Sequence, residues 1–324
     1  MSFIALFYLS DSRYGGHVTY TAHLAKSLRI LGHRVELFKL GAKTETRVRD
    51  YGYGESYRNL SEFDALAMRA DFKVISATGA GYGEKANLLM EAGARIVIHD
   101  PTEFRDGLDW KLSGRPPIVI RKSMLRHLPG AAVTPHPYVR HFKGNVGSSC
   151  TINAVCFARI DWDKHTDIIL GANRLLAEPD QVRLFGAENR LYTAHKIMPE
   201  YPEWTQQRRD FPKVAGAAAM IAQQARFVVD MSAIKGDGGG TQYTFLEAWD
   251  AGAVCVLNTD WFASPGEMQP GVHCLTAASP SELANRLRYR DVTAIRKLRQ
   301  AGWDLLNAHA PIVAGKAFME ALHR

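Results

Sequence analysis

The chain has 324 residues, of which 46% are hydrophobic and 23% are charged, as is ordinary for a soluble globular protein. Its apolar runs are much shorter than the roughly 20 residues of a membrane-spanning helix, so no transmembrane segment is predicted. The net charge of +7 lies in the first half, because residues 1–150 carry 21 Lys and Arg against 14 Asp and Glu, and residues 151–324 carry 19 of each.

Apolar, strand-like runs alternate with helical stretches throughout, which is typical of parallel sheets with crossover helices. In the first half, helices are predicted at residues 18–31 and from Gly79–Gly83 to about residue 92. The N-terminal run has no basic flank or cleavage site, so it predicts a first strand rather than a signal peptide. The predicted strands are 3–9, 35–40, 72–77, 94–99, 118–120 and 131–134.

The glycines and serines of residues 143–149 predict an interdomain linker. We expect a first domain over residues 1–147 and a second over 148–305, with a C-terminal helix near 306–324 able to pack back on the first. The second half is predicted to contain strands 151–157, 181–185, 225–231 and 254–257, and helices 166–176, 280–288 and 292 to the end, besides the helix that follows the glycine cluster.

A glycine cluster precedes one predicted helix of the second half and is the most informative motif of the chain. It begins at Gly236 and Asp237 and continues through Gly238, Gly239, Gly240 and Thr241. Backbone N–H groups at a helix start bind anions, and glycines let a phosphate approach closely. Glu247 lies within the same helix, where its carboxylate could accept hydrogen bonds from a ribose. The motif therefore predicts a nucleotide site.

Three smaller motifs follow predicted strands. Gly15 and Gly16 could close on a ligand, with a plain tight turn as the alternative. Arg159 and Lys164 could neutralise a diphosphate, with a solvated loop as the alternative. His99 and Asp100 could be acid–base partners; the alternative, a helix N-cap at Asp100, is disfavoured here because Pro101 follows.

The four cysteines show no metal-ligand or pairing pattern, so reduced thiols and a cytoplasmic location are expected.

Basic residues in the first half are mixed with aromatic side chains, a combination that suits phosphates and an unstacked base. A merely solvated basic face is the alternative. Trp110 and Tyr138 are the aromatic candidates. The predicted nucleic-acid contacts are Arg105, Lys111, Arg115, Arg121, Lys122 and Arg126.

Taken together, these motifs resemble the GT-B glycosyltransferases, an α/β fold with two Rossmann-like domains facing each other across a cleft. Arg159 and Lys164 match the basic pair that holds the donor diphosphate in retaining members, and Glu247 matches the ribose-binding Glu. One departure is clear: the sugar-contacting Glu found eight residues earlier in many members is Gly239 here. The resemblance implies retention of anomeric configuration and no tightly bound metal.

A narrower similarity is to the phage DNA α-glucosyltransferases, on the strength of Gly16 to Thr19, of His99-Asp100 and of Tyr243 to Glu247. It implies transfer of a sugar, most simply glucose from UDP-glucose, to a hydroxymethylated pyrimidine of bacteriophage DNA in the host cytoplasm. DNA would then be the partner. The alternatives are a GT-B enzyme acting on a polysaccharide or lipid-linked sugar, and a non-catalytic nucleic-acid-binding module.

Overall fold

A computed structural model describes residues 1–11, 15–40, 48–49, 55–142, 150–212, 216–233, 238–264 and 266–324. These residues form two compact units, one of residues 1–139 with 308–324 and the other of residues 140–307. The predicted linker 143–149 lies outside the described residues, so the boundaries at 147 and 305 stay predictions.

The first unit contains an eight-stranded sheet in the order β3-β4-β2-β1-β5-β6-β7-β8. Its strands run parallel except for β3, which is antiparallel to β4. The central strand β1 is almost wholly apolar and is buried on both faces, as expected when helices cover both sides of a parallel sheet. The strands are β1 Phe3–Leu9, β2 Arg34–Leu40, β3 Val48–Arg49, β4 Ser56–Leu60, β5 Phe72–Thr78, β6 Arg95–Ile98, β7 Ile118–Val119 and β8 Ala132–Val133.

The helices of this unit are α1 Gly16–Ile30, α2 Glu62–Ala67, α3 Gly83–Glu91 and, at the C-terminus, α11 Pro311–His323. Helix α11 packs against α1, where Gly315 is so close that a Cβ atom there would lie 2.9 Å from the Leu31 side chain. Short 3₁₀ turns follow β6 and β7, at Pro101–Asp106, Trp110–Ser113 and Lys122–Arg126.

The second unit contains a five-stranded parallel sheet in the order β10-β9-β11-β12-β13. The strand order reverses at β9, and open α/β sheets bind ligands beyond the carboxyl ends of their strands at such a point. The strands are β9 Ile152–Cys156, β10 Val182–Leu184, β11 Ala225–Asp230, β12 Val254–Asn258 and β13 Cys274–Ala277. The helices are α4 Thr166–Arg174, α5 Arg190–Tyr192, α6 Met198–Glu200, α7 Ala217–Gln223, α8 Tyr243–Asp250, α9 Pro280–Leu287 and α10 Val292–Leu305.

The predicted α/β class with two parallel sheets is confirmed. The single helix predicted from residue 292 to the end is wrong, because α10 ends at Leu305 and α11 begins at Pro311. Ala310 is extended, as the residue before a proline tends to be, and this interrupts the helix. Strands β3, β4 and β13 and helices α2, α5, α6 and α7 were not predicted. Within the described part of the chain, no helix has the length and apolar character needed to cross a bilayer.

Candidate functional site

The two predicted diphosphate-binding cations come together just after β9. Nζ of Lys164 and Nη2 of Arg159 lie 3.4 Å and 3.7 Å from the same carboxylate oxygen of Asp163. The Arg159 side chain is 63% exposed and also lies 3.4 Å from Asp161, whereas that of Lys164 is only 12% exposed. Arg159 can thus turn toward a ligand, while Lys164 is held in place.

A chain of polar contacts holds Lys164. Its ammonium group donates to Oγ of Ser232 at 3.0 Å, and the Ser232 hydroxyl donates to Asp230 at the end of β11. The hydroxyl of Thr244, in the first turn of α8, lies 3.4 Å from the other carboxylate oxygen of Asp230. The chain therefore connects the cation loop after β9 with the helix that follows the glycine cluster.

Asp230 and Ser232 are almost fully buried, and neither was predicted as a site residue. The available signal was an acidic residue at the end of an apolar strand, six positions before the glycine-rich segment begins at Gly236. Burial, strengthened by the charge of Asp230, also raises the pKa of the Cys156 thiol to about 12, so this cysteine is unreactive near neutral pH.

Glu247, the predicted ribose ligand, lies in α8 and is buried. It follows Thr244 by three residues, so the two side chains project from the same face of the helix. The structure therefore places Glu247 on the helix face that is linked to the Lys164 network.

The glycine cluster is tightly packed rather than open. Gly236 and Asp237 lie outside the described residues, and Gly238, Gly239, Gly240 and Thr241 are buried. Gly239 has φ +74°, a conformation that favours glycine. The Trp261 indole donates to the Gly240 carbonyl at 3.0 Å, and the Thr241 N–H donates to Oε1 of Glu267, also at 3.0 Å. The expectation that the Thr241 amide is available to a phosphate is therefore corrected, because a carboxylate already accepts its hydrogen bond.

The other predicted donor glycines, Gly15 and Gly16, belong to the first unit. Gly15 precedes α1 with φ +92°, and a Cβ atom added at either glycine would have no neighbouring atom within 4 Å among the residues that the structure describes. Backbone conformation therefore explains the glycine at position 15.

A second cluster lies in the first unit, where β6 and α1 come together. Oε1 of the buried Glu103 accepts the backbone N–H of His99 at 2.9 Å and lies 3.5 Å from Nε2 of His17. The His99 ring contacts that of His17 at a centroid distance of 4.6 Å, and its Nε2–H donates to the Ser76 carbonyl at 2.8 Å. The predicted His99 and Asp100 are therefore joined by His17, which lies in the Gly16 to Thr19 motif but was not predicted as a site residue, and by Glu103, which no motif indicated.

Asp100 is an N-cap, contrary to the sequence interpretation that Pro101 disfavours this role. Its carboxylate accepts the N–H of Thr102 at 2.8 Å and also the Thr102 hydroxyl. Proline is favourable at the first helical position, because its missing N–H has no intrahelical partner there. Both capping bonds are made to Oδ1, so Oδ2 of the carboxylate can also serve chemistry.

The charges of this cluster follow from burial and from Glu103. Burial opposes protonation of His17, but the hydrogen bond and charge of Glu103, with the charge of Asp100, outweigh it and raise the His17 pKa. Burial raises the pKa of Glu103 and His17 opposes the rise. Burial favours protonation of Asp100, but the hydrogen bonds from Thr102, with Arg121 and His17, lower its pKa. Glu103 and Asp100 thus both favour the charged form of His17.

His17, Asp100 and Glu103 could also hold a cation. Each offers one ligand atom, and the three atoms lie within 4.8 Å of one another. Oε2 of Glu103 is buried and has no hydrogen-bond partner among the described residues. The absence of a tightly bound metal stays a prediction.

Acid is expected to destabilise the first unit through His99. Burial, with the charge of His17, lowers the His99 pKa to about 3, whereas an unfolded histidine titrates near 6.5. Because the unfolded chain then binds the extra proton, stability falls as pH drops below about 6.5. Between pH 7 and pH 5 this group alone should cost roughly 2 kcal/mol. Urea unfolding of the wild type and His99→Gln at both pH values measures the difference; equal pH dependence in the two proteins would contradict it.

The predicted nucleic-acid contacts differ in their exposure to solvent. Lys111, Arg115, Lys122 and Arg126 are exposed on the segments after β6 and β7. The side chain of Arg105 lies outside the described residues. Arg121 is buried and donates to the His99 carbonyl at 2.6 Å, so its assignment as a surface contact is corrected. Tyr138 is likewise buried, against His23, and cannot stack on a base.

Solved structures with the same fold cover the whole chain. The crystal structure of Anabaena Alr3699/HepE in complex with UDP and glucose has a TM-score of 0.72 at 12% identity, with 100% of both chains covered. The α-glucosyltransferase in complex with UDP and a 13-mer DNA containing an HMU base has a TM-score of 0.75 at 14% identity, again with full coverage. The chain has the GT-B fold. No protein-family model matches it, and no curated protein matches it in sequence. At these identities the similarity establishes the GT-B fold, and activity has to be argued from the site.

Proposed function

We propose that the chain is a glycosyltransferase that moves a sugar from a UDP-sugar, with UDP-glucose favoured, to a hydroxyl group. The observation that carries the proposal is the polar chain from Lys164 through Ser232 and Asp230 to Thr244, with Arg159 beside it. It holds Lys164, with Arg159 in the same loop, at the edge of the sheet where β9 and β11 end, which is the edge at which open α/β sheets bind ligands. It also connects these cations to the helix bearing Glu247.

Arg159 and Lys164 would act on the departing diphosphate. Negative charge on the leaving group grows as the bond to the sugar breaks, so cations there stabilise the transition state more than the ground state. Both cations are paired with Asp163, and Arg159 also with Asp161. A diphosphate would take the place of these carboxylates, and the pair that the exposed Arg159 makes with Asp163 is weak in water.

Donor binding is tested by titrating UDP into the protein in a calorimeter. Glu247→Ala and Arg159→Ala are each expected to abolish measurable binding, because they remove the proposed ribose and diphosphate contacts. Arg290→Ala is the control, because Arg290 is a comparably exposed arginine of the same unit paired with Asp180. Wild-type affinity in both site variants would move the donor site elsewhere.

For the acceptor, we propose a hydroxymethylated pyrimidine in DNA. The excess positive charge lies in the first half of the chain, and the α-glucosyltransferase with the same fold was solved with DNA containing an HMU base. The exposed Lys111, Arg115, Lys122 and Arg126 would contact phosphates, and His99 and Asp100 would orient or deprotonate the acceptor hydroxyl.

Affinity for duplex DNA is expected to fall steeply with salt, because contacts to phosphates release counterions. Lys122→Ala and Arg126→Ala should each reduce the slope of log affinity against log salt by about 1. Lys196→Ala, a partly exposed lysine in the other unit, is the control and should leave the slope unchanged. Fluorescence anisotropy between low and physiological salt measures the slope, and salt-independent binding would exclude this basic surface as the contact.

A further inference from the structure

The segment after β12, which includes Trp261 and Gly266, packs closely against the glycine cluster. Gly266 passes so close that a Cβ atom there would lie 1.3 Å from the Gly239 carbonyl oxygen, and one on Gly238 would lie 2.6 Å from the Trp261 carbonyl oxygen. The indole hydrogen bond to Gly240 adds a third contact. These backbone contacts fix the position of Glu267, the residue after Gly266, relative to the glycine cluster.

Glu267 places a negative charge at the start of α8. Its Oε1 accepts the Thr241 N–H at 3.0 Å, two residues before the helix begins at Tyr243. Thr241 is buried, whereas Glu267 is half-exposed, so the carboxylate lies at the accessible side of the cluster. A helix start would otherwise attract a phosphate, but a fixed carboxylate at this amide repels one.

The cations of the same sheet edge lie at a different strand end. Arg159 and Lys164 follow β9, while the glycine cluster follows β11 and Glu267 follows β12. Charge therefore separates this edge into a part that attracts phosphates and a part that attracts neutral hydrogen-bond donors. A carboxylate is an acceptor for hydroxyl groups, and such charge-assisted hydrogen bonds are stronger than neutral ones.

We infer that Glu267 binds hydroxyl groups of the sugar that the donor carries, and so determines which sugar is accepted. The inference rests on the proposed function and adds a residue to it. The sequence has glycines at 238–240 and no carboxylate among them, and Glu267 supplies one from the segment 26 residues further along the chain. The hydroxyl of the sugar donates to the carboxylate, and no bond is made or broken in this step.

The test compares UDP with UDP-glucose as calorimetric ligands for the wild type and for Glu267→Gln and Glu267→Ala. Both variants should bind UDP within about twofold of the wild type, because the sugar is the only part of the donor that Glu267 is inferred to contact. Their affinity for UDP-glucose should fall by about 10- to 100-fold, the effect of losing hydrogen bonds to a charged group. Asp260→Asn is the control, an exposed carboxylate in the same segment, and should change neither affinity.

The possible results distinguish the sugar contact from the donor site as a whole. Equal weakening of UDP and UDP-glucose would show that Glu267 only holds the glycine cluster, and unchanged UDP-glucose affinity would place the sugar elsewhere; either result overturns the inference and leaves the donor site standing. A wild-type protein that binds neither ligand would overturn the proposed function and this inference with it.

Discussion

Lys164→Met is expected to lower the rate of sugar transfer by about 10²- to 10³-fold, the usual cost of removing one group that stabilises transition-state charge. Methionine keeps an unbranched apolar side chain of similar length, so the variant mainly removes the ammonium group. The loss should appear in kcat, measured with saturating UDP-glucose, because the charge on the leaving diphosphate is greatest in the transition state.

Lys196→Met provides the matched control for this prediction. Lys196 belongs to the same unit, but its ammonium group is paired with Glu200 at 2.8 Å, four residues along the chain, instead of with Ser232. The Lys196→Met protein should retain wild-type turnover. A Lys164→Met protein that keeps more than half of the wild-type kcat would show that Lys164 serves the fold through Ser232 and not the reaction.

Asp100→Asn is expected to lower turnover by about 10²-fold or more, the lower end of what a positioned acid–base group contributes. Asparagine is as good an N-cap as aspartate, so the turn at Pro101–Asp106 should be preserved. The variant therefore separates the charge of the side chain from its capping role. UDP affinity should not change, because Asp100 is assigned to the acceptor.

Asp109→Asn is the control for Asp100→Asn. Asp109 caps the next 3₁₀ turn by accepting the N–H of Lys111 at 3.1 Å, so the substitution makes the same chemical change at the same kind of position. It should leave turnover unchanged. Wild-type turnover in Asp100→Asn would show that Asp100 only caps the turn. The cluster around His17 would then have no carboxylate assigned to the acceptor reaction.

The sheets could be predicted because their strands are continuous apolar runs. Strand β1 is buried on both faces, so its sequence is a continuous apolar run that is recognisable as a buried strand. Strand β4 was missed for the opposite reason, since it is polar and only partly buried. The end of α10 was missed because residues 306–310 contain neither glycine nor proline, and the helix is interrupted by the extended Ala310 before Pro311.

The site could be predicted where its residues are neighbours in sequence and not where folding brings them together. Arg159 and Lys164 are five residues apart, and a loop after a strand suffices to place them. The contacts of Lys164 to Ser232 and of Thr241 to Glu267 span 68 and 26 residues, so no local pattern indicates them. Arg121 shows the converse, because a basic residue in a run that resembles an exposed face is buried, with its guanidinium bound to a carbonyl.

The most direct test of the proposed activity is transfer from radiolabelled UDP-glucose to a DNA duplex containing hydroxymethylated pyrimidines. The same duplex without hydroxymethyl groups and a reaction without DNA are run in parallel. We expect label in the hydroxymethylated duplex alone. Equal, acceptor-independent release of glucose in all three reactions would contradict the proposal.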